Sequence, residues 1–243
     1  MKFLILPFIL LTLFSCQKKN FEEQIINELG LDRKNIKNEL IVSSIFPGNE
    51  SETILVIPEI ESEEIGCCFE LNSHILILNS TTGKIKNKYF ENAKSNKWFS
   101  DILTLTEITI DTLGYQISKN NTAFGIKLKH SNLSKTDPFN SVSVSLFIKS
   151  DNTLKKVLKN YDISEFNAAI NTNCTSKTVK KEKSFVISKN KSKNLNNITV
   201  LSKITNTNNY KNSNGDCVSK TTSNTKNTTL QFNGKVYKKH INL

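Results

Sequence analysis

The side chains best suited to metal binding or nucleophilic chemistry in this 243-residue sequence are five cysteines and three histidines. No two cysteines form a C-x-x-C pair, and the histidines lie far apart in the chain, so the ligand spacing of a zinc site is missing. His130 shares a predicted strand face with Ile126 and Leu128. This position favours a hydrogen-bonded structural histidine over a ligand or a catalytic base. We predict no metal and no cofactor.

Four glutamates lie within seven residues between Pro58 and Glu64. Clustered carboxylates could bind Ca²⁺, but the Asp and Asn spacing and the glycine of an EF-hand loop are missing. A pair of catalytic carboxylates needs a pocket, which this pattern does not indicate. We therefore interpret the segment as a solvated acidic loop.

The common catalytic and phosphate-binding motifs are missing from the sequence. It contains no G-x-S-x-G, G-x-x-x-x-G-K-[ST], H-E-x-x-H or G-x-G-x-x-G pattern. Trp98 and Phe99 are candidate binding residues together with His130, because an exposed aromatic platform suits a ligand. A core anchor is the alternative for Trp98, which is the only tryptophan. These observations favour a binding protein over an enzyme.

The first sixteen residues have the pattern of a secretion signal. Lys2 is followed by an apolar run from Phe3 to Phe14, which is shorter than the roughly 20 residues that cross a bilayer as a helix. The Leu-Phe-Ser-Cys ending resembles the lipobox of bacterial lipoproteins. This resemblance implies cleavage after Ser15 and acyl chains on Cys16, with an ordinary signal peptide as the alternative. Gln17 after the cysteine is compatible with an outer membrane.

The charge is divided unevenly along the chain. Residues 1–118 carry a formal charge of −5 and residues 119–243 carry +16, which gives the whole-chain value of +11. Such asymmetry can indicate an anionic partner. Only Arg33 offers the bidentate guanidinium suited to phosphates and bases, so we predict no nucleic-acid binding. Solvated surface lysines, anionic lipid headgroups and polysaccharide remain as interpretations.

An extracytoplasmic location permits disulfides. Cys174 and Cys217 lie alone near the ends of predicted strands, and we predict that they pair and close a loop of 43 residues. The chain-entropy estimate for such a loop is roughly 4 kcal/mol of stabilisation. For the adjacent Cys67 and Cys68 we expect no mutual bond, because the ring would be strained. In a strand, one would face the core and the other the solvent.

Periodicity predicts a short helix from Phe21 to Leu31 and strands from Leu40 onward. Ile75 to Leu78 is apolar throughout, which predicts burial on both strand faces, whereas Val142 to Lys149 alternates and predicts burial on one. Polar turns at 79–83, 150–152 and 233–234 predict three hairpins, the last with a type I′ Asn-Gly turn. Residues 205–215 and 219–229 are almost wholly Asn, Lys, Ser and Thr, and they predict either solvated hairpin arms or mobile segments.

The predicted fold class is therefore all-β: an antiparallel meander, either a sandwich or an irregular propeller-like form, with a short N-terminal helix. We divide the chain into a signal peptide (1–15), a tether with the short helix (16–38) and one all-β domain (39–243) with a polar C-terminal part.

Several short motifs follow one another in an order similar to that of an uncharacterised family of secreted or lipid-anchored bacterial proteins, over roughly residues 50–243. They are Val56-Ile57-Pro58, Ile75-Leu76-Ile77-Leu78 with Thr82-Gly83-Lys84, Trp98-Phe99-Ser100-Asp101, Ile108-Thr109-Ile110-Asp111-Thr112, Ala123-Phe124-Gly125-Ile126 and Phe232-Asn233-Gly234-Lys235-Val236-Tyr237. The resemblance implies an envelope location and a β-rich fold, and it transfers no catalytic residue. Cys67 and Cys68 depart from that pattern.

Together these observations predict a protein of the cell envelope that is anchored in a membrane through acyl chains on Cys16. Because Gln17, and no aspartate, follows Cys16, we expect this to be the outer membrane. The expected function is non-enzymatic binding of an envelope protein or glycan. One alternative is an immunity or inhibitor protein against a toxin or hydrolase, and another is an enzyme that acts on envelope polymers.

Overall fold

The computed structural model describes residues 21–172 and 174–239. The predicted signal peptide, Cys16 and the start of the tether lie outside the described residues. Helix α1 covers residues 21–28 and is followed by Gly30, whose φ of 69° suits the residue after a helix end. Two 3₁₀ turns, Arg33–Asn35 and Asn38–Leu40, lead into the first strand.

The described part of the chain contains thirteen strands and one further short helix, α2. They are β1 (Val42–Phe46), β2 (Asn49–Glu64), β3 (Cys68–Asn79), β4 (Ile85–Glu91), α2 (Ala93–Asn96), β5 (Phe99–Ser100), β6 (Thr104–Ser118), β7 (Asn121–Ser131), β8 (Phe139–Ser150), β9 (Thr153–Thr172), β10 (Thr175–Ser192), β11 (Leu195–Lys211), β12 (Cys217–Phe232) and β13 (Tyr237–Lys239). The all-β prediction with a short N-terminal helix is confirmed.

The strands form one open sheet of largely consecutive antiparallel neighbours, with the main order β1-β2-β3-β4-β9-β10-β11-β12-β13. The pairing of β4 with β9 is parallel and consists of a single contact between Lys88 and Thr153. Beside it, the side-chain amide of Asn87 donates to the carbonyl groups of Asp151 (2.6 Å) and Thr153 (3.2 Å). We call this junction the seam.

Strand β3 lies between two hydrophobic cores, as its apolar run predicts. Ile75 and Ile77 face a core shared with β6, β7 and β8, whereas Leu76 and Leu78 face a core beneath α1. Successive side chains of a strand point to opposite faces, so a strand without polar residues can separate two apolar layers.

Strand β8 differs from its prediction. Phe147 lies in the same core as Ile75, while Leu146 and Ile148 lie in a third core covered by β10 to β13. The prediction of one buried face was wrong because β1, β2 and β3 cover the face that carries Phe147, and a local alternation cannot register such a distant cover.

The β12–β13 connection also departs from its prediction. Phe232 pairs with Tyr237, so the turn holds four residues, and the Asn233 carboxamide oxygen accepts from the amides of Lys235 and Val236. The two-residue turn with positive φ at both positions occurs instead at Lys193 (50°) and Asn194 (74°), between β10 and β11.

The outer parts of three C-terminal strands form a single polar layer, which we call the arm: β10 from Thr175 to Ser184, β11 from Leu201 to Lys211 and β12 from Cys217 to Asn227. No residue of these segments is buried. The polar segments are therefore extended strands, the first of the two predicted alternatives. Their many threonines suit strand geometry.

Candidate functional site

Of the three predicted binding residues, Phe99 and His130 are in contact, whereas the side chain of Trp98 is buried in the core. His130 Nε2 lies 3.2 Å from the Phe99 carbonyl oxygen, and the two rings are 6.2 Å apart between centroids. Trp98 is 3% exposed, and its backbone amide donates to Asn96 Oδ1 at 2.7 Å. Trp98 is a core anchor, so no three-residue aromatic platform forms.

His130 has the surroundings of a structural side chain. Burial lowers its pKa below the ordinary value, against the opposing effect of the hydrogen bond to the Phe99 carbonyl. A neutral ring that donates from Nε2 to a backbone carbonyl fixes β7 against β5. Catalysis by a histidine instead requires a proton-transfer partner within hydrogen-bond reach.

The groove beside Phe99 contains the acidic segment. The segment predicted as a loop is the end of β2, where Glu63 pairs with Phe69 and Glu64 with Cys68 of β3. The prediction of a loop was wrong because cross-strand pairing with β3 supplies the hydrogen bonds that the local composition does not reveal. Lys37 forms an ion pair with Glu63, so one carboxylate of the groove is already neutralised.

Cys67 and Cys68 form a disulfide with each other at the turn between β2 and β3. The expectation that they stay unlinked on opposite strand faces was wrong, because Cys67 belongs to the turn and not to the strand. Cys174 and Cys217 are joined as well, with their Cα atoms 5.4 Å apart. This second disulfide closes the far end of the arm.

A cleft of about 600 Å³ lies where β4, β9, the β10–β11 turn and the β12–β13 turn meet. We call it the lysine cleft. Its lining residues are Tyr89, Ile148, Leu154, Lys155, Lys156, Val157, Lys159, Lys193, Leu195, Phe232, Gly234, Lys235 and Val236. The set combines five ammonium groups with two aromatic rings, and it includes no carboxylate.

The rim of the lysine cleft is formed by exposed lysines. Lys155 and Lys159 lie four residues apart on β9. Lys193 belongs to the β10–β11 turn and Lys235 to the β12–β13 turn. Lys156 is the one lysine of the cleft that pairs with a carboxylate among the described residues. The other four therefore keep their positive charge available to a ligand. Lys238 and Lys239 line an adjoining groove that shares Lys193 and Phe232.

The floor of the cleft is a buried ion pair. Lys156 donates to Glu91, and the ammonium lies 5.5 Å from the ring centroid of Tyr89. Burial lowers the pKa of Lys156 even though the Glu91 carboxylate opposes the shift. Burial, together with the same carboxylate, raises the pKa of Tyr89. Glu91 is thus neutralised within the protein and is poorly placed to repel an anion.

Sequence reasoning identified the lysine excess but did not locate this cleft. Its lysines come from β9 and from two turns, which the fold brings together over long distances in the chain. The one local signal is Lys193-Asn194 between two strand patterns, a turn with a bulky residue where glycine or asparagine is usual.

None of the helices in the described part of the chain is both long and apolar enough to cross a membrane. Comparisons with protein-family models, with curated proteins and with solved structures found no match for this chain.

Proposed function

We propose that the chain is a non-enzymatic protein of the cell envelope, held to a membrane by acyl chains on Cys16, that binds an anionic glycan in the lysine cleft. The single observation that carries this proposal is the convergence, around one cleft with aromatic side chains, of four exposed lysines that have no carboxylate partner among the described residues. Acidic sugars offer carboxylates to ammonium groups and apolar ring faces to aromatic side chains.

The local backbone at Lys193 supports a role of its side chain in binding. Its φ of 50° is left-handed, a conformation that costs about 1–2 kcal/mol for a residue with a Cβ atom. Backbone strain of this kind concentrates at functional sites. A lysine at this position directs a charge to the cleft where a glycine would suit the turn better.

The lining of the cleft favours binding over catalysis. Catalysis of glycoside hydrolysis ordinarily needs two carboxyl groups on either side of the bond. The described lining residues supply none, and the Glu91 carboxylate at the floor of the cleft is held by Lys156.

Binding is tested with the full-length acylated protein in nanodiscs of zwitterionic lipid, using polygalacturonate as the anionic probe and dextran as the neutral one. We expect polygalacturonate to bind, dextran not to bind, and added salt to weaken the complex. The triple variant Lys159→Gln, Lys193→Gln, Lys235→Gln should bind about tenfold more weakly, at about 0.5 kcal/mol for each exposed pair.

The matched control is Lys84→Gln, Lys94→Gln, Lys119→Gln, which removes the same charge from exposed positions outside the cleft. An equal loss in both triple variants would show that net charge alone attracts the polymer. A DNA duplex that displaced polygalacturonate at equal charge would also contradict the proposal.

Lys193→Gly separates binding from folding. Glycine relieves the left-handed strain, so the free energy of unfolding should rise by about 1 kcal/mol while binding to polygalacturonate weakens. Asn194→Gly is the control, because asparagine tolerates the left-handed region and faces no such cost.

The anchor is tested independently by mass spectrometry of the protein extracted from membranes. We expect Cys16 at the new terminus with acyl chains, and Cys16→Ser should release the protein into the soluble fraction. An unmodified terminus after Ser15 would refute the anchor.

A further inference from the structure

One long side of the arm has no neighbouring strand among the described residues. Strand β12 pairs with β11 on one side from Cys217 to Leu230, and with β13 on the other side only from Leu230 to Phe232. The outer edge of residues 217–229 therefore presents unpaired backbone N–H and C=O groups. Such an edge is a template for another strand.

The edge is regular enough to be extended. The register between β11 and β12 runs from Lys211–Cys217 to Ile198–Leu230 without a bulge. Residues 217–229 contain neither proline nor glycine, the residues that most often interrupt a strand. An added strand could follow the whole length.

The charge around the edge selects the chemistry of an added strand. Between residues 175 and 229 the chain carries 11 lysines and only two acidic residues, Glu182 and Asp216. Lys220 and Lys226 lie on β12 itself, both exposed, and their even spacing places them on one face of the sheet. They are about 20 Å apart, at roughly 3.3 Å for each residue.

We propose that the free edge of β12 from Cys217 to Thr229 binds an extended acidic segment of another protein, which adds to the arm as a further strand. Backbone hydrogen bonds supply the pairing, and carboxylates opposite Lys220 and Lys226 supply the selectivity. This site is separate from the lysine cleft and does not depend on glycan binding.

A second copy of the chain fits the edge less well than an acidic partner. The segment from Lys220 to Lys226 reads Lys-Thr-Thr-Ser-Asn-Thr-Lys, which is nearly symmetric about Ser223. Antiparallel self-pairing centred there would place each lysine directly opposite the lysine of the other copy. Like charges in that position destabilise a strand pair, and the remaining arm lysines add to the repulsion.

The test uses the full-length protein in nanodiscs and a synthetic peptide that is as long as the edge. The peptide alternates threonine and valine, except for two glutamates that lie six residues apart and at equal distances from its centre. We expect the antiparallel direction, the commoner one, in which the glutamates face Lys220 and Lys226. Hydrogen exchange should show new protection of amides within residues 217–229 when the peptide binds.

Two N-methylated peptides identify the mode of binding, one methylated at odd positions and one at even positions. A strand uses one edge to pair, so one peptide should bind at least about tenfold more weakly while the other keeps its affinity. Equal binding of both peptides would overturn the proposal, because simple charge attraction does not distinguish the edges.

The protein variants complete the test. Lys220→Gln with Lys226→Gln should weaken peptide binding about three- to tenfold. The control, Lys203→Gln with Lys211→Gln, removes the same charge from the neighbouring strand on the opposite face. Equal losses would contradict a role for the edge. Protection of residues 217–229 that rises with protein concentration, without peptide, would show a second copy as the occupant and overturn the choice of an acidic partner.

Discussion

The strands around the hydrophobic cores and the strands of the arm are stabilised in different ways. Around the three hydrophobic cores, which we call the body, strands are buried on one or both faces and charges are paired: Glu52 with Lys86 and Lys149, and Asp111 with Lys127. The arm has the same regular strand pairing but no buried residue. A hydrogen-bonded ladder and threonine-rich faces can therefore continue a sheet beyond its core.

This comparison predicts that a core truncation costs much more in the body than in the arm. Phe124 is fully buried between β1 and β8, where its ring lies 5.8 Å from Phe46 and 5.7 Å from Phe147. Phe124→Ala should lower the free energy of unfolding by about 3–5 kcal/mol. Ile204→Ala in the arm should cost under about 1 kcal/mol because Ile204 is 37% exposed. Equal costs in urea titrations would refute the distinction.

The second prediction concerns what replaces a core in the arm. Cys174→Ser with Cys217→Ser should lower stability by about 2–4 kcal/mol, since the bond closes a 43-residue separation. Hydrogen exchange should accelerate in the arm and stay slow in β2 and β3. Cys67→Ser with Cys68→Ser is the control, because a bond between neighbours closes no long loop. Faster exchange throughout the body would show that the arm is not a separate unit of stability.

The third prediction compares two glycines with positive φ. A Cβ atom on Gly83 (φ 70°) would lie 2.5 Å from Phe21 Cδ1, whereas one on Gly215 (φ 85°) would meet nothing within 4 Å. Both alanine variants incur about 1–2 kcal/mol of backbone strain, and Gly83→Ala adds the displacement of α1. Thermal unfolding should therefore give the larger loss for Gly83→Ala, and equal losses would mean that Phe21 moves aside freely.

The smallest effect is a pH dependence that belongs to the body. Burial alone would raise the pKa of Asp111, but hydrogen bonds from Tyr115, Lys127 and the Leu113 amide lower it below the ordinary 3.8. Because the folded pKa is the lower one, this stabilisation is complete above the unfolded value and is lost as the pH falls through the folded value.

Asp111→Asn should therefore flatten the loss of stability below about pH 4, measured as the free energy of unfolding at successive pH values. Glu107→Gln is the control, since its pair with Lys129 is exposed and such pairs contribute little. An unchanged slope for Asp111→Asn would exclude this carboxylate as the cause.

The local sequence pattern predicted the fold class and the burial of β3 on both faces, because the periodicity of a strand can be recognised from neighbouring residues alone. It missed the burial of Phe147 on the second face of β8, whose cover comes from β1, β2 and β3, far earlier in the chain. It placed the type I′ turn at Asn233-Gly234 because that dipeptide is the stronger local signal, although the pairing of Ser192 with Leu195 places it at Lys193-Asn194. The lysine cleft could not be predicted, since three separate parts of the chain form its rim.

The seam has a mechanical consequence. The hydrogen-bonded route from β1–β4 to the C-terminal strands passes through one parallel contact, and the Asn87 carboxamide acts there in place of a continuous ladder. If the proposed anchor and a partner on the arm pull in opposite directions, the hydrogen bonds of Asn87, the ion pairs Glu52–Lys149 and Glu91–Lys156 and the hydrophobic core shared by β3 with β6, β7 and β8 carry the force between the two parts. The resistance of the sheet to pulling at this place therefore depends on side chains and their packing, and much less on a backbone ladder.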